Sequence, residues 1–186
     1  MNQSLINSYC KMKYIYLENW REEQKLTSLG INTKLAVIDN ESLTKRLCFN
    51  KKSSFKVIVE NQYLTHSKNS MDFLSTKEIS SLGIYRNVKL ISNGNKIVSA
   101  QSFFPIRYLH GKERYIKILG NRSLGTRVLN SKRFKKQKLM YIVTKKYIHR
   151  FITYSYKSKN IYVDEIFPKD FSYDRLSLFQ ARRKKR

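Results

Sequence analysis

Alternation of apolar and polar residues in two segments predicts β-strands that each carry a charged residue on a buried face. Arg86 falls in the same alternation phase as Val88 and Leu90. Glu165 falls in phase with Val163 in a second such segment. Arginine and glutamate are rarely buried unless they are paired, because an isolated buried ion strongly destabilises a fold. The pattern leaves two interpretations open: a structural ion pair, or two groups that each face a ligand.

The same alternation, together with turn signals, predicts the other strands in outline. Strands are predicted over residues 35–39, 55–60, 84–91, 96–104, 139–144, 147–156 and 161–167. The Asn-Gly pair at 93–94 is a strong hairpin signal, and the polar stretch 66–80 indicates a loop or flap. Consecutive strands with tight turns predict an antiparallel sheet.

Cap residues predict two helices. One lies near 42–48, after side-chain oxygens at 39–42 that can cap its first turn. The other runs from Pro105 to about Leu119, where Gly120 can end it. The predicted fold class is therefore α+β: a single domain with an antiparallel β-sheet and helices on one face.

The chain of 186 residues is long enough for one domain with its own core, and 41% of its residues are hydrophobic. We divide it into an N-terminal lead-in at 1–30, a domain at 31–175 and a basic C-terminal tail at 176–186. No segment approaches the roughly 18 apolar residues of a membrane helix, so we expect no membrane span.

The net charge of +25 favours anionic partners, which include nucleic acid, anionic lipid and small dianionic metabolites. The charge is dense only at 132–138 and 182–186. Many lysines stand beside Asn, Ile, Tyr and Phe, a mixture typical of AT-rich coding sequence. Base composition could therefore supply much of the lysine without any selection for binding.

Cysteine and histidine show no metal-binding pattern. Cys10 and Cys48 have no ligand spacing and do not form a disulfide framework, which favours a reducing compartment. The three histidines are scattered. We expect no metal site.

Three short motifs follow one another along the chain. They read Asp-Asn-Glu-Ser-Leu-Thr-Lys-Arg at 39–46, Gly-Asn-Arg-Ser-Leu-Gly at 120–125 and Asp-Glu-Ile-Phe at 164–167. In this order, and with Arg86 and the strand end at 100–105, the chain resembles chorismate–pyruvate lyase of the plastid-encoded and cyanobacterial-type branch. The resemblance runs from about residue 35 to residue 171.

The resemblance implies a chorismate lyase-like α+β domain and a role for each matching residue. Arg86 would hold the ring carboxylate, and the backbone amides of Leu43 and Leu124 would line the same site. Glu165 would meet the ring hydroxyl. The implied reaction eliminates pyruvate from chorismate and leaves 4-hydroxybenzoate, with no metal, nucleotide or redox cofactor. The residue types suit these roles, since a guanidinium binds carboxylates and exposed amides at a helix start bind anions.

The chain departs from the family pattern in three places, one of them a glycine–proline turn that is Ser158-Lys159-Asn160 here. A glycine–arginine pair of the penultimate strand is His149-Arg150 here, so His149 either narrows the pocket or lies on the outer face. Arg150 is also expected to bind the substrate or product, and the alternative is a structural role. A proline before Leu124 is Ser123 here.

Two classes of function remain. The first is a monomeric lyase that makes 4-hydroxybenzoate for quinone synthesis in a plastid stroma. The second is a non-enzymatic module that binds a small carboxylate, or a basic protein that binds nucleic acid. Arg86 and Glu165 together favour a small-molecule pocket, because phosphate binding has no use for a buried glutamate. We expect the tail at 182–186 to be dispensable for catalysis.

Overall fold

The computed structural model describes residues 23–39, 42–48, 54–71, 74, 81–92, 95–127 and 133–172. Within these ranges the main element is a six-stranded antiparallel sheet. The strands are β1 (Phe55–His66), β2 (Leu82–Ser92), β3 (Asn95–Pro105), β4 (Lys135–Val143), β5 (Tyr147–Tyr156) and β6 (Lys159–Pro168).

The sheet consists of two antiparallel meanders that meet in its middle. Its spatial order is β1-β2-β3-β6-β5-β4, so β1 to β3 form one meander and β4 to β6 form the other. The seam between them is the pairing of β3 with β6, in which Ala100 lies opposite Glu165. On the next strand Glu165 lies opposite Arg150, and within the first meander Arg86 lies opposite Ser102.

Short helices accompany the sheet. Among the described residues, three α-helices have defined bounds: α1 (Ile31–Val37), α2 (Leu43–Leu47) and α3 (Leu124–Arg127). Four are 3-10 helices, at Glu23–Ser28, Ser67–Asn69, Ile106–Tyr108 and Gly111–Ile118. Among the described residues, no helix is long and apolar enough to cross a membrane.

Helices α1 and α2 and the 3-10 segment Gly111–Ile118 pack on one face of the sheet, as predicted for an α+β fold. Ala36 and Val37 of α1 and Leu43 of α2 pack in one cluster with strand residues such as Val88. Ile116 packs in a second cluster with strand residues of the same phase. We call this side the helix-covered face; Arg86, Ala100, Arg150 and Glu165 point to it. The opposite face carries a third cluster, formed by Met71, Leu74, Tyr85, Phe103, Ile142, Phe151 and Tyr162.

The predicted strand at 35–39 is wrong, because these residues end helix α1. The buried positions of that helix are Thr33, Ala36 and Val37, which is helical rather than alternating spacing. A short apolar run does not by itself distinguish a strand from a buried helical turn. The strands predicted from residue 55 onward are confirmed, with longer bounds for β1 and β4.

The helix predicted from Pro105 is instead two 3-10 segments. Strand β3 extends to Pro105, residues 109–110 separate Ile106–Tyr108 from Gly111–Ile118, and Gly111 begins the second segment with a φ of 64°. Gly120 ends the second segment as predicted, with a φ of 53° that few other residues adopt. Of the predicted flap, residues 72–73 and 75–80 lie outside the described ranges, as do the N-terminal 22 residues and the basic tail.

Each edge strand contains an irregularity in register that changes which side chains face the helices. In β1 the shift between Val59 and Asn61 places Gln62 opposite Arg86. In β4 the shift between Lys136 and Lys138 places Lys136 opposite Tyr154. Bulges of this kind often lie at sheet edges and redirect a side chain toward a site. Both redirected side chains are polar.

Gly83 at the start of β2 is required by close packing. A Cβ atom there would contact the Phe103 ring and would lie 2.6 Å from the carbonyl oxygen of Phe104. We expect Gly83→Ala to lower the free energy of unfolding by about 1–3 kcal/mol, measured by urea denaturation. Gly30→Ala is the matched control, because a Cβ at Gly30 meets no heavy atom within 4 Å. Equal unfolding midpoints for the two variants would contradict this account.

Candidate active site

A cavity of about 380 Å³ lies between the helix-covered face and the starts of α2 and α3. Its volume is within the usual range for small-molecule sites. The sheet contributes mainly apolar side chains and a few polar ones to its wall. The lining residues are Ser42, Leu43, Thr44, Val57, Arg86, Val88, Leu90, Ala100, Ser102, Ser123, Leu124, Gly125, Phe134, Lys136, Tyr154, Val163 and Glu165.

The structure brings together four of the five residues expected to form a site. Leu43, Arg86, Leu124 and Glu165 all line this cavity, although they are up to 122 positions apart in the chain. Arg150 is not among the lining residues; it lies beside Glu165 and is 1% exposed.

Arg86 is a buried cation whose described partners are all neutral. Its side chain is 2% exposed, and it donates to Gln62 Oε1 at 2.9 Å, Gly120 O at 2.8 Å and Arg122 O at 3.1 Å. A guanidinium has five N–H donors, so two remain without a partner among the described residues. Burial lowers the pKa of Arg86, yet arginine stays protonated in proteins. The site therefore holds a positive charge that no described carboxylate neutralises.

The contacts of Arg86 follow from local structure on both sides of it. The bulge in β1 turns Gln62 toward Arg86, and Gln62 Nε2 also donates to Lys117 O at 3.0 Å. Gly120 and Arg122 belong to the turn that precedes α3. The arginine thus fastens this turn to the sheet and positions Leu124 at the cavity.

Glu165 is held by Arg150 through one of its two oxygens. Arg150 Nε donates to Glu165 Oε2 at 2.6 Å, and Arg150 Nη2 lies 2.5 Å from the same oxygen. Glu165 Oε1 has no hydrogen-bond partner among the described residues, and Glu165 lines the cavity. Of the two interpretations left open by the sequence, the ion pair applies to Glu165, but its partner is Arg150 rather than Arg86.

Arg150 also ends helix α1. Its Nη1 donates to Val37 O at 2.5 Å and to Asp39 O at 2.9 Å. A cation at this position satisfies carbonyls that have no partner inside the helix. The guanidinium carbon lies 5.1 Å from the centre of the Phe167 ring, within the range of a cation–π contact. These contacts favour the structural role for Arg150.

Two helix starts meet at the rim of the cavity. Thr44 Oγ1 lies 2.6 Å from Ser123 Oγ, and Gly125 N donates to Ser123 Oγ at 3.2 Å. Ser123, where the family pattern has proline, thus bonds to both segments. A Cβ at Gly125 would come 2.9 Å from Ser42 Oγ. The group that approaches Gly125 closely is therefore the hydroxyl of Ser42, which lies just before α2.

Sequence reasoning missed Gln62, Lys136 and Tyr154. Tyr154 was findable, because it shares an alternation phase with Arg150 on β5. Gln62 and Lys136 were not, because the bulges reverse the phase of their strands. Burial, and next the charge of Glu165, raise the pKa of Tyr154, so its phenol remains neutral.

His149 lies on the opposite face and does not narrow the cavity. Its Nδ1 is 2.9 Å from Asp164 Oδ2, on the neighbouring strand. In the part of the chain that the structure describes, no group of three or more His, Cys, Asp or Glu side chains is arranged to hold a metal ion.

The chain is similar to known proteins at two levels. A family model described as "Chorismate lyase" matches residues 17–177, whereas no curated protein sequence matches the chain. Among solved structures it is similar to the effector domain of PhnF from Mycobacterium smegmatis, with 8% sequence identity, a TM-score of 0.44, and coverage of 64% of this chain and 84% of that one. It is also similar to a putative GntR-family transcriptional regulator, with 9% identity, a TM-score of 0.42, and coverage of 64% of this chain and 56% of that one. Likeness at this level assigns no function.

The ion pair of Arg150 and Glu165 changes what the removal of either charge should do. We expect Glu165→Gln to lower the free energy of unfolding by about 3–5 kcal/mol, because it leaves a buried cation without its counter-charge. The exposed pair of Glu60 and Lys89 supplies the control, since Glu60→Gln should change stability by less than about 1 kcal/mol.

A double-mutant cycle in urea separates the pair from other effects. Arg150→Met combined with Glu165→Gln should be less destabilising than the sum of the two single exchanges. Additive losses would show that the two side chains do not depend on each other.

Proposed function

Since the chain belongs to the chorismate lyase family, we propose that it eliminates pyruvate from chorismate and releases 4-hydroxybenzoate. The observation that carries the proposal is Arg86, a buried cation with neutral described partners at a cavity of small-molecule size. A carboxylate that enters the cavity would supply the missing counter-charge.

The ring carboxylate binds at Arg86 in this proposal. A charge-assisted hydrogen bond is shorter and stronger than a neutral one, and the low dielectric of a buried site strengthens it further. The amides of Leu43 and Leu124 open α2 and α3, where first-turn N–H groups have no acceptor within the helix. We propose that both amides face the same carboxylate.

The ring hydroxyl donates to Glu165 in this proposal. Arg150 fixes Oε2 and so sets the orientation of the whole carboxylate, while Oε1 accepts from the hydroxyl. Val88, Ala100 and Val163 contribute apolar wall against which the ring can pack. A ring held at both ends has one orientation in the cavity.

The reaction then needs only bond changes within the bound substrate. The ether bond between ring and enolpyruvyl group breaks, and the neighbouring ring carbon, which bears the hydroxyl, loses its proton. The ring becomes aromatic, and the released enolpyruvate gains a proton at its methylene carbon to give pyruvate. Atoms balance without an oxidant or reductant. Glu165, fixed beside that hydroxyl, orients the ring and takes part in the proton transfer.

We further propose that the protein acts as a monomer in a plastid, where 4-hydroxybenzoate would serve quinone synthesis. The resemblance to the plastid-encoded and cyanobacterial-type branch supports the location, as does the composition typical of AT-rich coding sequence. We also propose that the domain spans residues 31–175 and that the tail at 182–186 is dispensable for catalysis.

The direct test is an assay of the purified protein with chorismate, in which 4-hydroxybenzoate is measured by chromatography and pyruvate by a coupled dehydrogenase. Equal amounts of both products support the proposal. If no product forms while 4-hydroxybenzoate still binds, the chain is a non-enzymatic module that holds a small carboxylate.

Arg86→Met should weaken 4-hydroxybenzoate binding by about 1.5–3 kcal/mol, the contribution of a hydrogen bond to a charged group. The methyl ester of the ligand is the control, because it lacks the charge and should bind the wild type and the variant alike. Calorimetry with both ligands measures the difference. A variant that is folded by circular dichroism and keeps full preference for the acid would refute the assignment.

Glu165→Gln should lower kcat by about a hundred- to ten-thousandfold if the carboxylate takes part in proton transfer. The rate is measured well below the melting temperature of the variant, so that its lower stability does not reduce the folded fraction. Glu60→Gln, which alters an exposed carboxylate, should keep the wild-type rate. A near-normal kcat for folded Glu165→Gln would show that this residue only supports the fold.

A further inference from the structure

Tyr154 is a buried residue in the wall of the cavity, and its hydroxyl has no hydrogen-bond partner among the described residues. Only 7% of the residue is exposed. Its oxygen is not one of the fully enclosed polar atoms that lack a partner, so it keeps access to open space, and the space that Tyr154 lines is the cavity. A buried polar group without a partner requires an explanation, and a ligand in the cavity would supply one.

We propose that Tyr154 is a catalytic residue whose hydroxyl donates a hydrogen bond to the ether oxygen of a bound enol ether, the oxygen that leaves with the enolpyruvyl group. This inference rests on the proposed function and deepens it. In the proposed complex Arg86 holds the ring carboxylate and Glu165 accepts from the ring hydroxyl, so neither of them donates to the leaving oxygen.

The sheet places Tyr154 near the end of the cavity where Glu165 lies. Tyr154 pairs with Ile161 on β6, and Ile161 shares its alternation phase with Glu165 on the helix-covered face. After burial, the charge of Glu165 is the next cause that raises the pKa of Tyr154, so the phenol lies within electrostatic range of that carboxylate. The ether oxygen is on the ring carbon next to the one that bears the hydroxyl. The phenol and the ether oxygen therefore belong to the same end of the site.

Packing and electrostatics make this phenol a fixed and neutral donor. Tyr154 belongs to the same buried cluster as Phe104, Ile152 and Ile161, which limits the movement of its ring. Because its pKa is raised, it keeps its proton at neutral pH. A protonated phenol can donate, whereas an ionised carboxylate such as that of Glu165 can only accept.

The leaving oxygen is where negative charge develops in the reaction. The bond between this oxygen and the ring breaks, and its electron pair stays on the oxygen as an enolate. The electron pair of the neighbouring C–H bond completes the aromatic ring, and the proton ends on the methylene carbon of the enolpyruvate to give pyruvate. Tyr154 keeps its own proton throughout. A donor fixed beforehand at the atom that gains charge stabilises the transition state more than the bound substrate.

The first test measures the contact without any need for turnover. 4-Hydroxy-3-methoxybenzoate has an ether oxygen beside its ring hydroxyl, as the substrate does, and 3-ethyl-4-hydroxybenzoate has a methylene group in place of that oxygen. Calorimetry gives the ratio of the two affinities for wild type and for Tyr154→Phe. We expect the variant to lower the preference for the methoxy ligand by about three- to tenfold. The affinity for 4-hydroxybenzoate, which lacks both groups, should change by less than about twofold.

The second test measures chorismate turnover and melting temperature, with Tyr162→Phe as the matched control. Tyr162 is a buried tyrosine of the opposite face, and its hydroxyl bonds to Asn160. Tyr162→Phe should lower the melting temperature by about 2–4 °C and keep the wild-type rate. Tyr154→Phe should lower kcat by about a hundred- to a thousandfold with little change in KM. It should not lower the melting temperature, because no hydrogen bond to a described residue is lost. A structural role for Tyr154 would give the opposite pattern.

Three results would overturn the proposal. One is an unchanged affinity ratio together with a normal kcat. Another is an equal loss of affinity for 4-hydroxybenzoate and for the methoxy ligand, which would place the phenol at the ring hydroxyl instead. The third is a lowered ratio with a normal kcat in an active enzyme, which would limit Tyr154 to binding.

Failure of the proposed function gives a different result. If wild type does not turn over chorismate but Tyr154→Phe still lowers the affinity ratio, the contact with the ether oxygen stands and the lyase assignment fails. If chorismate is turned over and Tyr154→Phe equals wild type in rate and in ratio, the lyase assignment stands and Tyr154 has no part in it.

Discussion

The ion pair between Arg150 and Glu165 is the interaction on which the site depends. It joins β5 to β6, and through Val37 O and Asp39 O it fixes the end of α1. The segment that leaves α1 leads directly to Leu43 at the cavity rim. One buried pair therefore holds the floor and part of the rim in a fixed relation. Because the pair uses only Oε2 of Glu165, the same contact that stabilises the fold leaves Oε1 for a ligand.

Each of the two meanders of the sheet has a buried arginine, and the two arginines have different kinds of partner. The central strand of each bears a buried arginine on the helix-covered face: Arg86 on β2 and Arg150 on β5. Arg150 is paired with a carboxylate and stabilises the fold, whereas the described acceptors of Arg86 are all neutral, so its charge is not neutralised by them. Burial of an unneutralised cation is unfavourable, and the hydrogen bonds that Arg86 donates to Gln62 and to the turn at Gly120 offset part of that cost.

The sequence predicted those parts of the site that follow regular alternation. Arg86 and Glu165 were correctly predicted to be buried because β2 and β6 are regular around them, and the antiparallel pairing was predicted from tight turns, whereas the strand order was not. Leu43 and Leu124 came from the resemblance, since a leucine that lines a cavity has the same local pattern as one in the core. Gln62 and Lys136 were not predictable, because a bulge is set by the pairing of two strands and not by either strand alone.

The strand at 35–39 failed for a related reason. A short apolar run fits both a strand and a helical turn, and tertiary packing decides between them. That packing includes Arg150, whose guanidinium donates to Val37 O in α1 and to Asp39 O just beyond it. A contact with a residue more than a hundred positions away is beyond the reach of a local pattern.

The position of β6 has a consequence for how the protein is made. The last strand of the sheet to be synthesised lies in its middle, between β3 and β5. Before β6 emerges from the ribosome, the first meander has an unpaired edge at β3, Arg150 lacks its carboxylate, and the cavity lacks Val163 and Glu165. A nascent or truncated chain without β6 would expose strand edges open to pairing with other chains. The complete cavity and the protection of the inner strand edges are therefore acquired together, when β6 joins the sheet.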